Sequence, residues 1–241
     1  MSATLATAPV RLPAHRALTV ARVQAMDAVN VLVLPWVVLG SALVINLLVW
    51  VLVEGAAEGG TGGISSLYGY SMAMVAVLVS RGFPYLVGMG VTRRSFLGGT
   101  ALMLLAYAAV SSLALTALHG LEALTDGFGL GGRFFRVAWF TEVPAWQLPV
   151  VYALPMVFAA GLTLPFAAAY LRWRATGIVT LLAATALLVV VGLWAVGRVD
   201  GWAGLFAWFG SLGPLVLSTL LALVGVLAGA GAWLVLRRAP A

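Results

Sequence analysis

The chain has 241 residues, of which 63% are hydrophobic and 8% charged, with a formal net charge of +6. Soluble domains are about half apolar and a quarter charged, so this composition excludes an ordinary water-soluble fold and favours a membrane protein. All 13 basic residues are arginine, so the chain has no lysine, and it has no cysteine either. These absences exclude a phosphate-binding loop with its lysine, a Schiff-base lysine, a serine–lysine dyad, a disulfide and a cysteine-ligated metal.

Residues 1–28 are predicted to form a cytoplasmic tail followed by an interfacial helix. The first ten residues have no basic start and the first long apolar run comes late, so we expect no cleaved signal peptide. From residue 14 to residue 29, helical spacing separates a polar face from a more apolar one. The side chains expected to face water are His15, Arg16, Thr19 and Arg22, and those expected to face lipid are Leu18, Ala21 and Ala25.

Six uncharged apolar runs follow, each long enough to cross the hydrocarbon core of a bilayer as a helix. Backbone groups in lipid must be hydrogen-bonded within their own segment, and continuous apolar runs without alternation favour helices over strands. We therefore predict an all-α, polytopic fold, with residues 1–241 forming a single transmembrane domain. The predicted spans are residues 29–53, 64–80, 96–118, 148–171, 176–196 and 214–236.

The arginines predict the orientation of these spans. With the N-terminus in the cytoplasm, ten of the 13 arginines lie on the cytoplasmic side, and six of the seven acidic residues lie outside. Arginine-rich loops are retained on the cytoplasmic side of membranes. Six crossings return the C-terminus, with Arg237 and Arg238, to the cytoplasm, so both termini are predicted to be cytoplasmic in a multi-pass protein of the plasma membrane.

Two outer connections are rich in aromatic residues. Residues 133–140, RFFRVAWF, combine Phe and Trp with arginine, so part of this stretch is predicted to lie along the outer interface. Arg133 and Arg136 could contact lipid headgroups, cargo or acidic residues on the outer side, and the sequence does not distinguish these three possibilities. Residues 200–213 have a similar character and are predicted to form a short helical dip into the outer leaflet.

The cytoplasmic segment of residues 81–95 joins the second and third spans. It has arginine at both borders and an apolar stretch between them that is too short to cross the bilayer. The Gly-Phe-Pro at its start predicts a turn, after which residues 85–89 can form a short helix along the membrane face. A rigid helix between two spans would let another protein move both of them.

The phrase GMGVTRRSFLGGT, residues 88–100, resembles the permease subunits of type 2 ABC exporters, in particular the small six-span permeases of high-GC Gram-positive bacteria. Six spans, an amphipathic N-terminal helix and an aromatic outer segment before the last span agree with this resemblance. The long outer segment between spans three and four departs from the family pattern.

The resemblance implies a coupling helix that docks on a separate ABC ATPase subunit. It also implies a second permease subunit, identical or paralogous, and ATP with Mg²⁺ bound on the ATPase, so this chain itself would carry no cofactor. No nucleic-acid partner is expected, and the cargo would be apolar or amphipathic. The implied docking residues are Arg81, Phe83, Pro84, Tyr85, Leu86, Val87, Met89, Val91, Arg93 and Arg94.

Other interpretations of these patterns remain open. The same arginines are also typical of any cytoplasmic loop. A non-transporting membrane scaffold would not need the apolar segment between Arg81 and Arg93. An ion-coupled secondary transporter would usually place ionisable residues inside its spans, and the sequence predicts none at the middle of the membrane.

The last span carries a stripe of small residues at steps of three and four, consisting of Ser218, Ala222, Gly225, Gly229 and Ala232. Such a stripe permits close helix packing, either between subunits or within one bundle. The two histidines, His15 and His119, are predicted to lie on opposite sides of the membrane, so a metal site is not expected. The sequence has no pattern of catalytic residues, and we do not expect an enzyme.

Overall fold

The computed structural model describes residues 14–137 and 143–236. In these ranges the chain is helical and contains no strand, apart from one isolated bridge pair. Five helices are long and apolar enough to cross a membrane, α2, α3, α4, α5 and α7, and they indicate an all-helical, multi-pass membrane protein. The helices are α1 (Ala14–Ala25), α2 (Val29–Leu52), α3 (Ser65–Gly88), α4 (Arg93–Leu124), α5 (Leu148–Arg198), α6 (Trp202–Ser211) and α7 (Pro214–Leu236).

Some helix bounds match the predicted spans closely and others do not. Helix α7 begins and ends where predicted, and α2 ends one residue early. Helix α3 instead continues eight residues past the predicted end at Ser80, through Pro84. Proline removes one helical N–H, here the partner of the Ser80 carbonyl, but Phe83 and Leu86 beside it are buried. Their packing therefore keeps the helix intact across the proline.

Helix α5 spans 51 residues but is interrupted at Arg174, where φ is 55° and ψ is −141°. A Cβ atom placed on Gly177 would lie 2.6 Å from the carbonyl oxygen of Ala169. In a continuous helix, residues eight apart are separated by about 12 Å. The chain therefore reverses sharply at Arg174, where the sequence predicted a connection between two spans. We call residues 148–173 the first half of α5 and residues 175–198 its second half.

Helix α7 packs along the first half of α5 through its predicted stripe of small residues. A Cβ atom on Gly225 would lie 2.6 Å from the Cα of Phe158, and one on Gly229 would lie 3.3 Å from the Leu164 side chain. Farther along, Ala232 shares a buried cluster with Ala168. Residue numbers increase together on both helices, so α7 runs parallel to the first half of α5. The stripe serves packing within the chain.

Helix α1 lies against the beginning of α4. Val20 contacts Gly99, where a Cβ atom would lie 2.6 Å from the Cβ of Val20, and Gln24 Nε2 donates to Thr100 Oγ1 at 2.8 Å. The predicted helix is present, but Ala21, expected to face lipid, is buried together with Val20 and Gln24. The buried face is thus set by contact with α4 rather than by the polarity of α1 alone.

The bundle has two chemically different ends. At the arginine-rich end, α1, the end of α3, the start of α4, the middle of α5 and the end of α7 meet in one cluster. Its buried side chains are Val20, Phe83, Leu86, Phe96, Ala168, Ala232 and Leu236. The other end is named the acidic end for Glu54, Glu58, Glu122 and Asp126. There the end of α4 and the start of α5 meet residues 53–64 and the described parts of the next long connection, residues 125–137 and 143–147.

Candidate functional site

A four-residue turn, residues 89–92, joins α3 to α4 at the arginine-rich end. Gly90 has a φ of +87°, and the Val91 amide donates to the Leu86 carbonyl at 3.0 Å, which is the Schellman pattern that ends helices. Thr92 then caps α4, because its Oγ1 accepts from the Ser95 amide at 3.2 Å. The predicted separate short helix is therefore absent, and two capped helices meet in a tight turn.

The residues implied to dock on an ATPase divide into two faces of this hairpin tip. Tyr85 and Met89 are 65% and 57% exposed, whereas Phe83 and Leu86 are 1% and 4% exposed. Placing Phe83 and Leu86 on the docking surface was therefore wrong, because the helical turn directs them into the chain's own core. Of the other implied residues, Arg81, Pro84 and Arg94 are exposed, and Val87, Val91 and Arg93 are half-buried.

The buried face of the tip connects it to the rest of the bundle. The rings of Phe83 and Phe96 pack edge to face, with centroids 5.2 Å apart and an angle of 85° between their planes. Val20 of α1, Ala168 of α5 and Leu236 of α7 complete the same cluster. Close-packed side chains transmit displacement because they leave little free volume. A displacement of the tip would therefore be transmitted to α1, α5 and α7.

The arginines of the α5 reversal lie beside aromatic rings. The guanidinium carbon of Arg172 lies 4.9 Å from the ring centroid of Trp173, and that of Arg174 lies 5.9 Å from the ring of Tyr170. At these distances a cation is attracted to the face of the ring. The reversal thus presents cations and aromatic rings together, which suits the boundary between lipid and water.

A cavity of about 330 Å³ lies between α3, α4, α5 and α7. Gly161 and Gly225 line it, and Leu105 and Val226 at its rim are exposed. Its main polar atoms belong to a buried pair, Ser71 Oγ and Tyr107 Oη, which are 3.3 Å apart. Ligand pockets are commonly of this size and largely apolar, with a few polar atoms that orient the ligand. The cavity can hold an apolar molecule within the bundle.

The acidic end contains a buried carboxylate, four residues past residue 118, where the third span was predicted to end. Glu122 is fully buried near the end of α4. Its Oε1 accepts from the amides of Phe134 and Phe135 at 2.6 and 3.2 Å, and its Oε2 accepts from the amides of Phe135 and Arg136 at 3.0 and 2.6 Å. Hydrogen bonds to a charged acceptor are about twice as strong as neutral ones, so Glu122 clamps this segment onto the bundle.

Further contacts surround the clamp. The Tyr152 hydroxyl donates to the Phe135 carbonyl at 2.9 Å, and His119 Nδ1 lies 2.9 Å from the same hydroxyl. Phe134 is fully buried and occupies the space beside Gly63. Part of residues 133–140 was predicted to lie along the outer interface; Phe134 and Phe135 do not belong to that part, because both are buried, and residues 138–140 are outside the described ranges.

Three structural features were not predicted from the sequence: the Ser71–Tyr107 pair, the cavity beside it and the Glu122 clamp. The only available signals were isolated polar residues within or just after apolar runs. Within residues 14–137 and 143–236, no three His, Asp or Glu side chains lie close enough together to hold a metal ion. Comparisons with family models, curated proteins and solved structures found no significant match.

Proposed function

We propose that the chain is the transmembrane permease subunit of an ATP-driven ABC exporter, with ATP bound and hydrolysed on a separate subunit. The observation that carries the proposal is the two-faced tip between α3 and α4. Tyr85 and Met89 are exposed on one face, while Phe83 and Leu86 pack into a cluster shared with α1, α5 and α7 on the other. A partner bound to the exposed face could therefore move several membrane helices at once.

The course of α5 supports six crossings rather than five. The first half of α5 and α7 run in the same direction, so the chain must return to the acidic end between them. The second half of α5 is the long helix available for this return, and its 24 residues extend about 36 Å, enough to cross a hydrocarbon core of about 30 Å. With six crossings, residue 14 and residue 236 lie on the same side.

The positive-inside rule then orients the protein in the plasma membrane. Arg81 and Arg94 flank the tip, and Arg172 and Arg174 flank the α5 reversal at the same end. Arginines near helix ends favour the cytoplasmic side. The tip would therefore face the cytoplasm, where ATP is available. Arg11, Arg237 and Arg238 lie outside the described residues.

The cavity beside Tyr107 supports an apolar or amphipathic cargo. Charged side chains are absent from its lining, and Ser71 and Tyr107 satisfy part of each other's hydrogen-bonding capacity. A charged cargo would lose its hydration there without compensation. The rim residues Leu105 and Val226 face outward from different helices, so such a cargo could enter sideways from the bilayer.

The second half of α5 supports a larger assembly. Exposed apolar residues cover it on all sides, among them Leu187, Leu188 and Val190. In the proposed exporter this surface is covered by lipid and by a second permease subunit, identical or paralogous. Two permeases and two ATPases would form the working pump.

The proposal is tested by solubilising the protein from its native membrane in mild detergent and identifying co-purified proteins by mass spectrometry. Three forms are compared: wild type, the double variant Tyr85→Asp with Met89→Asp, and the control Val199→Asp. Val199 is 76% exposed and follows the second half of α5, away from the tip. Since all three replaced side chains are exposed, we expect each variant to fold and insert.

We expect wild type and Val199→Asp to recover an ATPase with a phosphate-binding loop, and the double variant to lose most of it. Recovery of the ATPase by all three proteins would exclude the tip as the docking surface. If inserted wild-type protein recovered no ATPase, the exporter proposal would be contradicted and a scaffold role favoured.

A further inference from the structure

A second cavity, of about 400 Å³, lies between α1, α2 and α4. Its walls are mainly apolar and include Leu18 of α1, Trp36 of α2, and Ala106 and Val110 of α4. Leu18, Ala106 and Val110 are exposed on the outside of the bundle, so the cavity is a groove that opens sideways. Among the lining residues, only Arg22 carries a charge.

The groove runs along the depth of the membrane from the arginine-rich end. On α4 its lining extends from residue 102 to residue 111, which is about 14 Å of helix and close to half of a hydrocarbon core of about 30 Å. Helix α1 crosses α4 just before this stretch, where Val20 meets Gly99 and Gln24 bonds to Thr100. Arg22, on α1, therefore lies at the arginine-rich end of the groove, which we call its mouth. The far end of the groove lies about one leaflet deeper in the membrane.

The nearest acidic residue along the chain, Asp27, is engaged elsewhere. Its two carboxylate oxygens accept hydrogen bonds from Asn30 Nδ2, at 3.0 and 2.8 Å, and it lines a different cavity between α2 and α3. Arg22 itself is exposed. A guanidinium has five N–H donors in a planar arrangement that matches a phosphate group. The mouth of the groove is thus complementary to an anion, and its interior to a hydrocarbon chain.

We propose that this groove binds an anionic phospholipid from the adjoining leaflet, with an acyl chain between α2 and α4 and the phosphate on Arg22. The length of one leaflet, the sideways opening and the single positive charge at the interface all match this ligand. The bound lipid would contact α1, α2 and α4 together and hold α1 against the bundle. The proposal does not depend on the exporter function.

The test uses the purified, delipidated full-length protein and native mass spectrometry. Phosphatidylglycerol and phosphatidylcholine are titrated separately, and inorganic phosphate is added as a competitor to distinguish a lipid site from a phosphate site. Arg22→Gln is compared with Arg16→Gln, because Arg16 is exposed on the same helix but does not line the groove. Ala106→Phe, which fills the groove, is compared with Ala109→Phe, since Ala109 is exposed on α4 outside it.

We expect wild type to prefer phosphatidylglycerol, and Arg22→Gln to reduce that preference roughly fivefold, as expected for one interfacial arginine. Ala106→Phe should weaken the binding of both lipids, whereas Arg16→Gln and Ala109→Phe should bind as wild type does. Native mass spectra and thermal unfolding of each apo variant show that it remains folded, which is expected because every replaced side chain is exposed.

Three results would overturn the proposal. Equal losses in Arg22→Gln and Arg16→Gln would indicate general attraction to a basic surface. Unchanged lipid binding by Ala106→Phe would show that the acyl chain lies outside the groove. Displacement of phosphatidylglycerol by millimolar inorganic phosphate would identify a site for the free anion. ATPase recovery is measured separately, so failure of this proposal is distinguishable from failure of the exporter proposal.

Discussion

The two ends of the bundle are held together by different forces. At the acidic end, the Glu122 carboxylate accepts hydrogen bonds from three successive backbone amides, and Tyr152 adds a bond to the Phe135 carbonyl. At the arginine-rich end, apolar contacts such as Phe83 against Phe96 join α3 to α4, and a single hydrogen bond from Gln24 to Thr100 joins α1 to α4. Hydrogen bonds are directional, whereas apolar contacts are not. The Glu122 clamp is therefore suited to hold its segment in place, and the apolar contact between α3 and α4 at the tip is suited to shift.

This difference agrees with the proposed direction of coupling. The exposed tip residues Tyr85 and Met89 lie on the hairpin of α3 and α4, whose buried side chains Phe83 and Phe96 meet through an apolar contact. A movement that begins at the tip would first displace the apolar contacts around Phe83, and it would reach the Glu122 clamp last. If the two ends differ in this way, removing one contact from each end should lower the stability of the protein by different amounts.

The largest effect is expected from Glu122→Gln. The side-chain N–H₂ of the new glutamine would face backbone N–H donors, and those donors would also lose their buried anionic partner. The variant should therefore be destabilised by about 4 kcal/mol. For a chain of this length, that corresponds to a fall of roughly 8–16 °C in the thermal midpoint. The midpoint is measured in detergent by intrinsic tryptophan fluorescence.

The control is Glu58→Gln, because Glu58 is exposed at the same end. It should stay within about 0.5 kcal/mol of wild type. If Glu122→Gln unfolded at the same temperature as this control, the clamp would not stabilise the acidic end and the contrast between the ends would be lost.

An intermediate effect is expected from Phe83→Leu at the arginine-rich end. The variant loses an edge-to-face ring contact and leaves a small cavity, so it should be destabilised by about 2 kcal/mol. No hydrogen bond is broken, and the loss should therefore be smaller than for Glu122→Gln. Tyr85→Leu, on the exposed face of the same helix, should change the midpoint little. Equal losses for Phe83→Leu and Tyr85→Leu would show that the two faces of the tip do not differ.

The smallest effects on stability are expected at two glycines of the tip, and the two have opposite signs. Gly90→Ala forces a side chain onto a φ of +87° and should cost about 1 kcal/mol. Gly88→Ala lies in the helix with nothing within 4 Å of the added Cβ and should stabilise by about 0.5 kcal/mol. Equilibrium unfolding in SDS measures both free energies. Destabilisation of the two variants by similar amounts would contradict the Schellman turn.

The helices of this protein were predictable where a long apolar run ends at a clear polar boundary. Helix α7 begins at Pro214, a residue favoured in the first turn of helices, and its predicted and observed bounds agree. The end of α3 was not predicted, because Gly82 and Pro84 suggested a turn and the effective stop signal was Gly90. Local preference at the proline was outweighed by the burial of Phe83 and Leu86.

The candidate site was predictable only in its position along the chain. The sequence singled out residues 81–95, but which of them are exposed depended on the continuation of α3. The Ser71–Tyr107 pair and the groove at Arg22 are formed by residues from different helices. No one-dimensional pattern reports such pairs, since hydropathy records the average polarity of a segment and not which of its faces meet.

The sequence by itself therefore determined that the protein belongs in a membrane, that it is helical and approximately where its apolar segments lie. These follow from composition and run length, because a helix in lipid bonds its own backbone groups. Only the tertiary structure decided that α3 continues to Gly88, that Glu122 is buried and that one face of the tip is free. Those features depend on distant segments meeting, and a buried carboxylate is stable only where such segments supply its hydrogen-bond donors.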